Sequence, residues 1–141
     1  REKRIPHEII LKEIGSTYES IQGHLKTLLD DLEQKYARKK KGVFLSNDSQ
    51  ANVFLNLLIR KYGFLPDDYL IIGFDNSPVS REAIIPISTI GQQIDKIAYE
   101  AVSLLVGQMN ERKKRRPAPP KEPVHKVITP ILIRRDTTEK M

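Results

Sequence analysis

Residues Lys41–Ser77 read KGVFLSNDSQANVFLNLLIRKYGFLPDDYLIIGFDNS, a pattern that predicts a strand, a helix and a second strand. Gly42 to Leu45 is a short apolar run with β-branched and aromatic members, suited to a strand buried on both faces. Ser46-Asn47-Asp48-Ser49 supplies side-chain acceptors for the open amides of a helix start. Ala51, Val53, Phe54, Leu57 and Leu58 recur at helical spacing. Gly63 can take the left-handed conformation that ends a helix, and Pro66 prevents its resumption. Tyr69 to Phe74 is the second apolar run, and it stops at Asp75-Asn76-Ser77.

A strand, a helix and a strand at this spacing form a parallel unit whose strands end at the same sheet edge. Asn47 and Asp75 each stand just past the end of a strand. They are therefore expected at one crevice outside the carboxyl ends, where open α/β sheets bind ligands. A carboxylate accepting hydrogen bonds beside an amide that donates and accepts suits a polyhydroxylated ligand such as a sugar. Asn or Asp after a strand also serves as a helix cap or turn residue, and Asp48 is read as a cap.

Four blocks in order carry a family resemblance: SNDSQA, YGFLPDDYLIIGFDNS, ISTIGQ and LIRRDTT. Together they resemble the effector-binding half of the lactose-repressor (LacI/GalR) family of bacterial transcription regulators, over roughly Val43 to Thr138. The chain departs from that pattern at Asn76, where a second acid is common, and at Ile87-Ser88. The resemblance implies an α/β fold with a parallel sheet flanked by helices, one lobe of a periplasmic-binding-protein type I domain. It implies that residues 1–141 are an effector-binding fragment, mainly the C-terminal lobe. It also implies an effector site at Asn47, Asp75 and Gln92, the last just past Ile90 where the chain crosses between lobes.

Further expectations follow from the same resemblance. The ligand is a small effector, usually a sugar or nucleobase, and no cofactor or metal is needed. The partner is a second copy, in a homodimer using Asn52 and Asn56 of the helix after Asn47 and Val79, Ala83 and Ile84 of the loop before Ile87. DNA is bound only through a head absent from this chain. The runner-up is a transport-type periplasmic sugar-binding protein. Leu65-Pro66-Asp67-Asp68, Ser88-Thr89-Ile90 and Arg135-Asp136-Thr137-Thr138 speak for a regulator instead.

Upstream of the central unit, Arg1 to His7 is expected as an extended lead-in and residues 8–14 as a first strand. Ser16-Thr17-Tyr18-Glu19 has the form of a capping box. Ile21, Leu25, Leu28, Leu29, Leu32 and Tyr36 then place a helix from about Thr17 to Arg38. Basic residues from Arg38 to Lys41 suit the end of that helix through its dipole. His7 and His24 lack metal-ligand spacing and are read as structural.

Downstream, Asn76 to Pro86 is expected as a loop and Ile87 to Ile90 as a short strand. Residues 91–110 are expected to hold a helix that packs on the missing first lobe. Its apolar side is Ile94, Ile97, Ala98, Ala101, Leu104, Leu105 and Met109. If the chain stands alone, that helix is expected to dock on another copy or to fold back on its own body, since bare apolar patches are rarely tolerated. Residues 110–123, basic and proline-rich, are expected as a linker. Val124 to Ile133 is the last strand region, broken at Pro130, which argues for an edge position or a bulge.

The 141 residues suffice for one modest domain, and without cysteine there is no disulfide framework. The chain opens at Arg1 and is expected to be a piece of a longer, cytoplasmic protein that does not enter a membrane. The net charge is +6, and Arg112, Lys113, Lys114, Arg115, Arg116 and Lys121 account for six positive charges. The rest of the chain is therefore near neutral, and specific DNA binding by residues 1–141 is not expected. An enzyme is not expected either. Asp48 and Asp75 could hold Mg²⁺, but no Gly-rich phosphate loop or nucleophile–base pair accompanies them.

Overall fold

The structure, a computed structural model, describes residues 8–114 and 122–139. Strands β1 (Lys41–Phe44) and β2 (Tyr69–Phe74) pair in parallel, joined by helix α2 (Asp48–Tyr62). The register sets Lys41 beside Tyr69 and Phe44 beside Ile72. Strand β3 (Ser88–Gly91) adds in parallel to β2, and β4 (Ile131–Ile133) adds antiparallel to β3. The sheet order is β1-β2-β3-β4, so the expected parallel sheet carries one antiparallel edge. Pro130 immediately precedes that edge strand, where a missing N–H donor is harmless. Val124 to Thr129 is not strand.

Helix α1 (Tyr18–Tyr36) and α2 cover one side of the sheet. Leu25 and Leu29 of α1 meet Ala51, Phe54, Leu55 and Leu58 of α2, over Val43, Leu45, Tyr69 and Ile71. Burial of each large side chain contributes at most about 1.5–3 kcal/mol, which makes this cluster the main stabilisation of the fold. Strand β1 alternates buried and exposed residues rather than being buried throughout. Its second face is half open, with Phe44 62% exposed and edge-on to Phe74.

Local signals explain the helix ends. Thr17, one residue later than the expected capping box, accepts from the Ser20 amide at 3.3 Å. Gly63 ends α2 with φ 82, its N–H donating to Ile59 O at 2.8 Å. Within the expected loop lies a short helix, α3 (Pro78–Glu82), opened by Pro78, whose fixed φ suits a first turn.

The first strand expected over residues 8–14 is absent. Lys12 and Glu13 interrupt its apolar run, and Ile9, Ile10 and Leu11 are exposed. The segment instead lies along α1, with Lys12 paired to Asp31 and the Gly15 amide donating to His24 Nδ1. His24 is thus structural, while Arg1 to His7 lie outside the described residues.

Helix α4 (Ile94–Lys114) runs five residues into the stretch expected as linker; residues 115–121 lie outside the described residues. The expectation that the lone chain folds back to cover α4 is overturned. Its apolar side is bare, with Ile94 64% and Leu105 57% exposed. The reason lies at its two attachments. β3 and β4 run side by side to the sheet edge, Gln93 Nε2 donates to Thr129 O at 2.6 Å, and the helix leaves from there. Lys126 pairs with Glu100, which holds the return segment against the helix. None of the described helices is long and apolar enough to cross a membrane.

Candidate functional site

The carboxyl ends of β1, β2 and β3 lie side by side, so Asn47, Asp75 and Gln92 stand past three neighbouring strand ends. The Gln92 side-chain amide donates to Asp75 Oδ1 at 2.6 Å, and both residues are half-buried. Two of the three residues singled out in the sequence are thereby in direct contact. Asn47 Oδ1 accepts from the Gln50 amide at 2.9 Å, so Asn47 is also the N-cap of α2.

Asp75 and Asn76 are left-handed, with φ 97 and 52. Such residues cost about 1–3 kcal/mol each and persist only where their surroundings hold them. Three successive amides are held here. Asp75 N donates to Ile90 O at 2.9 Å, Asn76 N to Thr89 Oγ1 at 3.2 Å, and Ser77 N to Asp48 Oδ2 at 2.6 Å. Arg135 adds a fourth restraint, donating from one guanidinium nitrogen to Asn76 Oδ1 at 2.7 Å and from another to Ile87 O at 2.8 Å. The turn therefore presents the Asp75 carboxylate from a pinned backbone.

Asp48 is not the cap it was expected to be. It is the first residue of α2, 1% exposed, and it organises the rim. Its Oδ2 accepts from the Ser77 amide and from the Ser77 hydroxyl at 3.0 Å, and its Oδ1 accepts from Thr89 Oγ1 at 2.6 Å. Both oxygens are engaged by the protein, so Asp48 is occupied as a brace rather than offered to a metal. Gly73 admits this carboxylate: a Cβ there would overlap Asp48 Oδ1 and lie 3.1 Å from Asp48 Cα.

Sequence reasoning missed Asp48, Thr89 and Arg135 as site supports. Only the ISTIGQ and LIRRDTT blocks marked Thr89 and Arg135, and nothing in their spacing tied them to Asp75. Thr137, which the sequence marked only as part of the LIRRDTT block, is fully buried. Its hydroxyl donates to Ile71 O at 2.7 Å and accepts from the Ser88 amide at 2.9 Å.

A family model described as a periplasmic binding protein-like domain matches residues 3–138. The chain belongs to this periplasmic-binding-protein-like family. Among relatives, the ribose operon repressor of Bacillus subtilis (strain 168) is 41% identical over 66 residues, covering 47% of this chain and 20% of that protein. The transcriptional repressor PurR of Pasteurella multocida (strain Pm70) is 35% identical over 74 residues, 52% of this chain and 22% of that protein. This periplasmic-binding-protein-like chain thus spans about a fifth of the curated relatives it matches. Among solved structures, the transcriptional regulator CelR in complex with cellobiose superposes with a TM-score of 0.66 at 25% identity, covering 86% of this chain and 33% of that one. A LacI family regulator from Arthrobacter sp. FB24 in complex with lactose gives 0.69 at 23% identity, covering 89% and 44%, and shares the fold.

Proposed function

We propose that this chain is the ligand-sensing part of a cytoplasmic bacterial transcriptional regulator and binds a small effector, a sugar, at the carboxyl-end crevice. The observation that carries the reading is the Gln92–Asp75 hydrogen bond on a turn whose every amide is held. A carboxylate fixed in this way can accept from two sugar hydroxyls without reorganising. The relatives named are repressors, and CelR is a regulator in complex with cellobiose. These support a regulator over a transport protein, and a binding role over catalysis.

Residues 1–141 are mainly the second lobe, and the bare side of α4 packs on a first lobe. Closure of the lobes around the effector shifts a separate DNA-binding head between two states. A homodimer forms through α2 and the α3 segment, where Asn52, Asn56, Val79 and Ala83 are half-buried and Ile84 is exposed. Sedimentation of the intact regulator at micromolar concentration checks this, and a monomer there refutes the dimer.

The effector site is tested by Asp75→Ala in the intact regulator. Losing a desolvated ligand hydrogen bond costs about 1–3 kcal/mol, a weakening of the effector response by about tenfold or more. An unchanged response overturns the assignment.

A further inference from the structure

A second pocket of about 360 Å³ lies at the other end of the sheet, where β1 and β2 begin. It is about 20 Å along β2 from Asp75, at about 3.3 Å per residue. Tyr62, Phe64, Pro66 and Tyr69 give it an apolar wall, and Arg38 and Lys41 line it beside two acids. Tyr69 is 2% exposed, yet its hydroxyl is buried without a hydrogen-bond partner among the described residues. A buried hydroxyl left unpaired is costly, and a native structure usually supplies its partner.

The polar groups around this hydroxyl are unbalanced in a definite sense. The Asp68 carboxylate already takes the Lys41 ammonium, and Glu33 takes Lys61 and the Tyr62 hydroxyl. The acceptors are thus engaged. Lys41, its side chain 5% exposed and lying 4.6 Å over the Tyr69 ring, gives one further N–H to Lys39 O and keeps a third. Arg38 pairs with none of the described acids. Burial, then the Glu33 and Asp68 carboxylates, keep the Tyr69 hydroxyl protonated and able to donate. Three unspent donors beside aromatic walls ask for an acceptor that carries an apolar body.

We propose that this pocket binds a small aryl carboxylate, its ring against Tyr62 and Phe64 and its carboxylate on the Tyr69 hydroxyl, Lys41 and Arg38. The site is independent of the crevice. Its volume falls in the range of small-ligand pockets, and a carboxylate's two oxygens can serve all three donors.

Benzoate titrated into the full chain, followed by amide NMR shifts, tests the proposal, with acetate as the ringless comparison. Saturable shifts are expected at Lys41, Phe64 and Tyr69 and not at Asp75 or Gln92, with acetate weaker. Tyr69→Phe should weaken benzoate about tenfold while urea stability holds or rises, because an unpaired hydroxyl is removed. Phe64→Ala, at an exposed position, should weaken it without disturbing the core. No saturation at millimolar benzoate, shifts centred on the crevice, or equal affinity in Tyr69→Phe each overturn the proposal. A loss of stability in Tyr69→Phe also overturns it, because an ordered water would then be the hydroxyl's partner.

Discussion

Replacing Asp48 by alanine should damage the fold and the crevice together. Its carboxylate receives the Ser77 amide, the Ser77 hydroxyl and the Thr89 hydroxyl. Bonds to a charged group are worth roughly 1.5–3 kcal/mol each, but the gross sum overstates the loss. Removing the carboxylate also removes its desolvation penalty, of several kcal/mol. The Ser77 hydroxyl can turn elsewhere. The Ser77 amide and the fully buried Thr89 hydroxyl are left without their acceptor, at roughly 1–3 kcal/mol each. The expected cost is therefore about 2–6 kcal/mol, out of a total stability of roughly 5–15 kcal/mol. Asp48→Asn keeps the shape and one acceptor and should cost about half as much. Urea unfolding of the full chain measures both, with a lower midpoint at an unchanged m-value. A cost below about 1 kcal/mol for Asp48→Ala would refute the view that this residue holds the rim.

Other substitutions separate linked roles. Asn47→Ser retains a capping side chain and should leave stability within about 0.5 kcal/mol, while Asn47→Ala should cost about 1 kcal/mol; if the amide also meets the effector, both lower the effector response in titration. Gly73→Ala places a Cβ against the backbone and carboxylate of Asp48 and should destabilise by about 1–3 kcal/mol in the same urea assay. The Tyr69 hydroxyl is pushed up, first by burial and then by Glu33 and Asp68. The unfolded chain releases that proton from about pH 10 while the folded chain keeps it. Stability should therefore fall above about pH 10, by up to about 1.4 kcal/mol per pH unit, and Tyr69→Phe should flatten that slope in unfolding curves at about pH 9 and about pH 11.

The central unit was legible because its signals are local. Asn47 before a helical period, Gly63 after it and an apolar run ending at Asp75 each act within one turn or strand. The crevice pair was legible for the same reason, since parallel strands bring their ends together whatever their side chains. The supports were not legible. Thr89 reaches Asp48 across 41 positions, and Arg135 reaches Asn76 across 59. No periodicity encodes such a pairing. The missing first strand shows the converse: Ile9, Ile10 and Leu11 have strand composition, but Lys12 and Glu13 leave no face to bury. Left-handed Asp75 and Asn76 were also hidden, because neither is the glycine that usually marks such a turn.

Thr137 also sets an order of assembly. β1, α2 and β2 can collapse as soon as they exist, because their contacts are close in sequence. Ile71 O and the Ser88 amide then wait for a hydroxyl that lies 66 and 49 residues further on. At synthesis rates of about 5–20 residues per second, the first wait lasts about 3–13 s. During that time β3 has neither β4 beside it nor Thr137 bound to its first amide, and the Asn76 turn lacks Arg135. The nascent chain thus carries an unfinished sheet edge for seconds, and its exposure to mispairing is set by the translation rate over residues 92–138 rather than by the stability of the finished core.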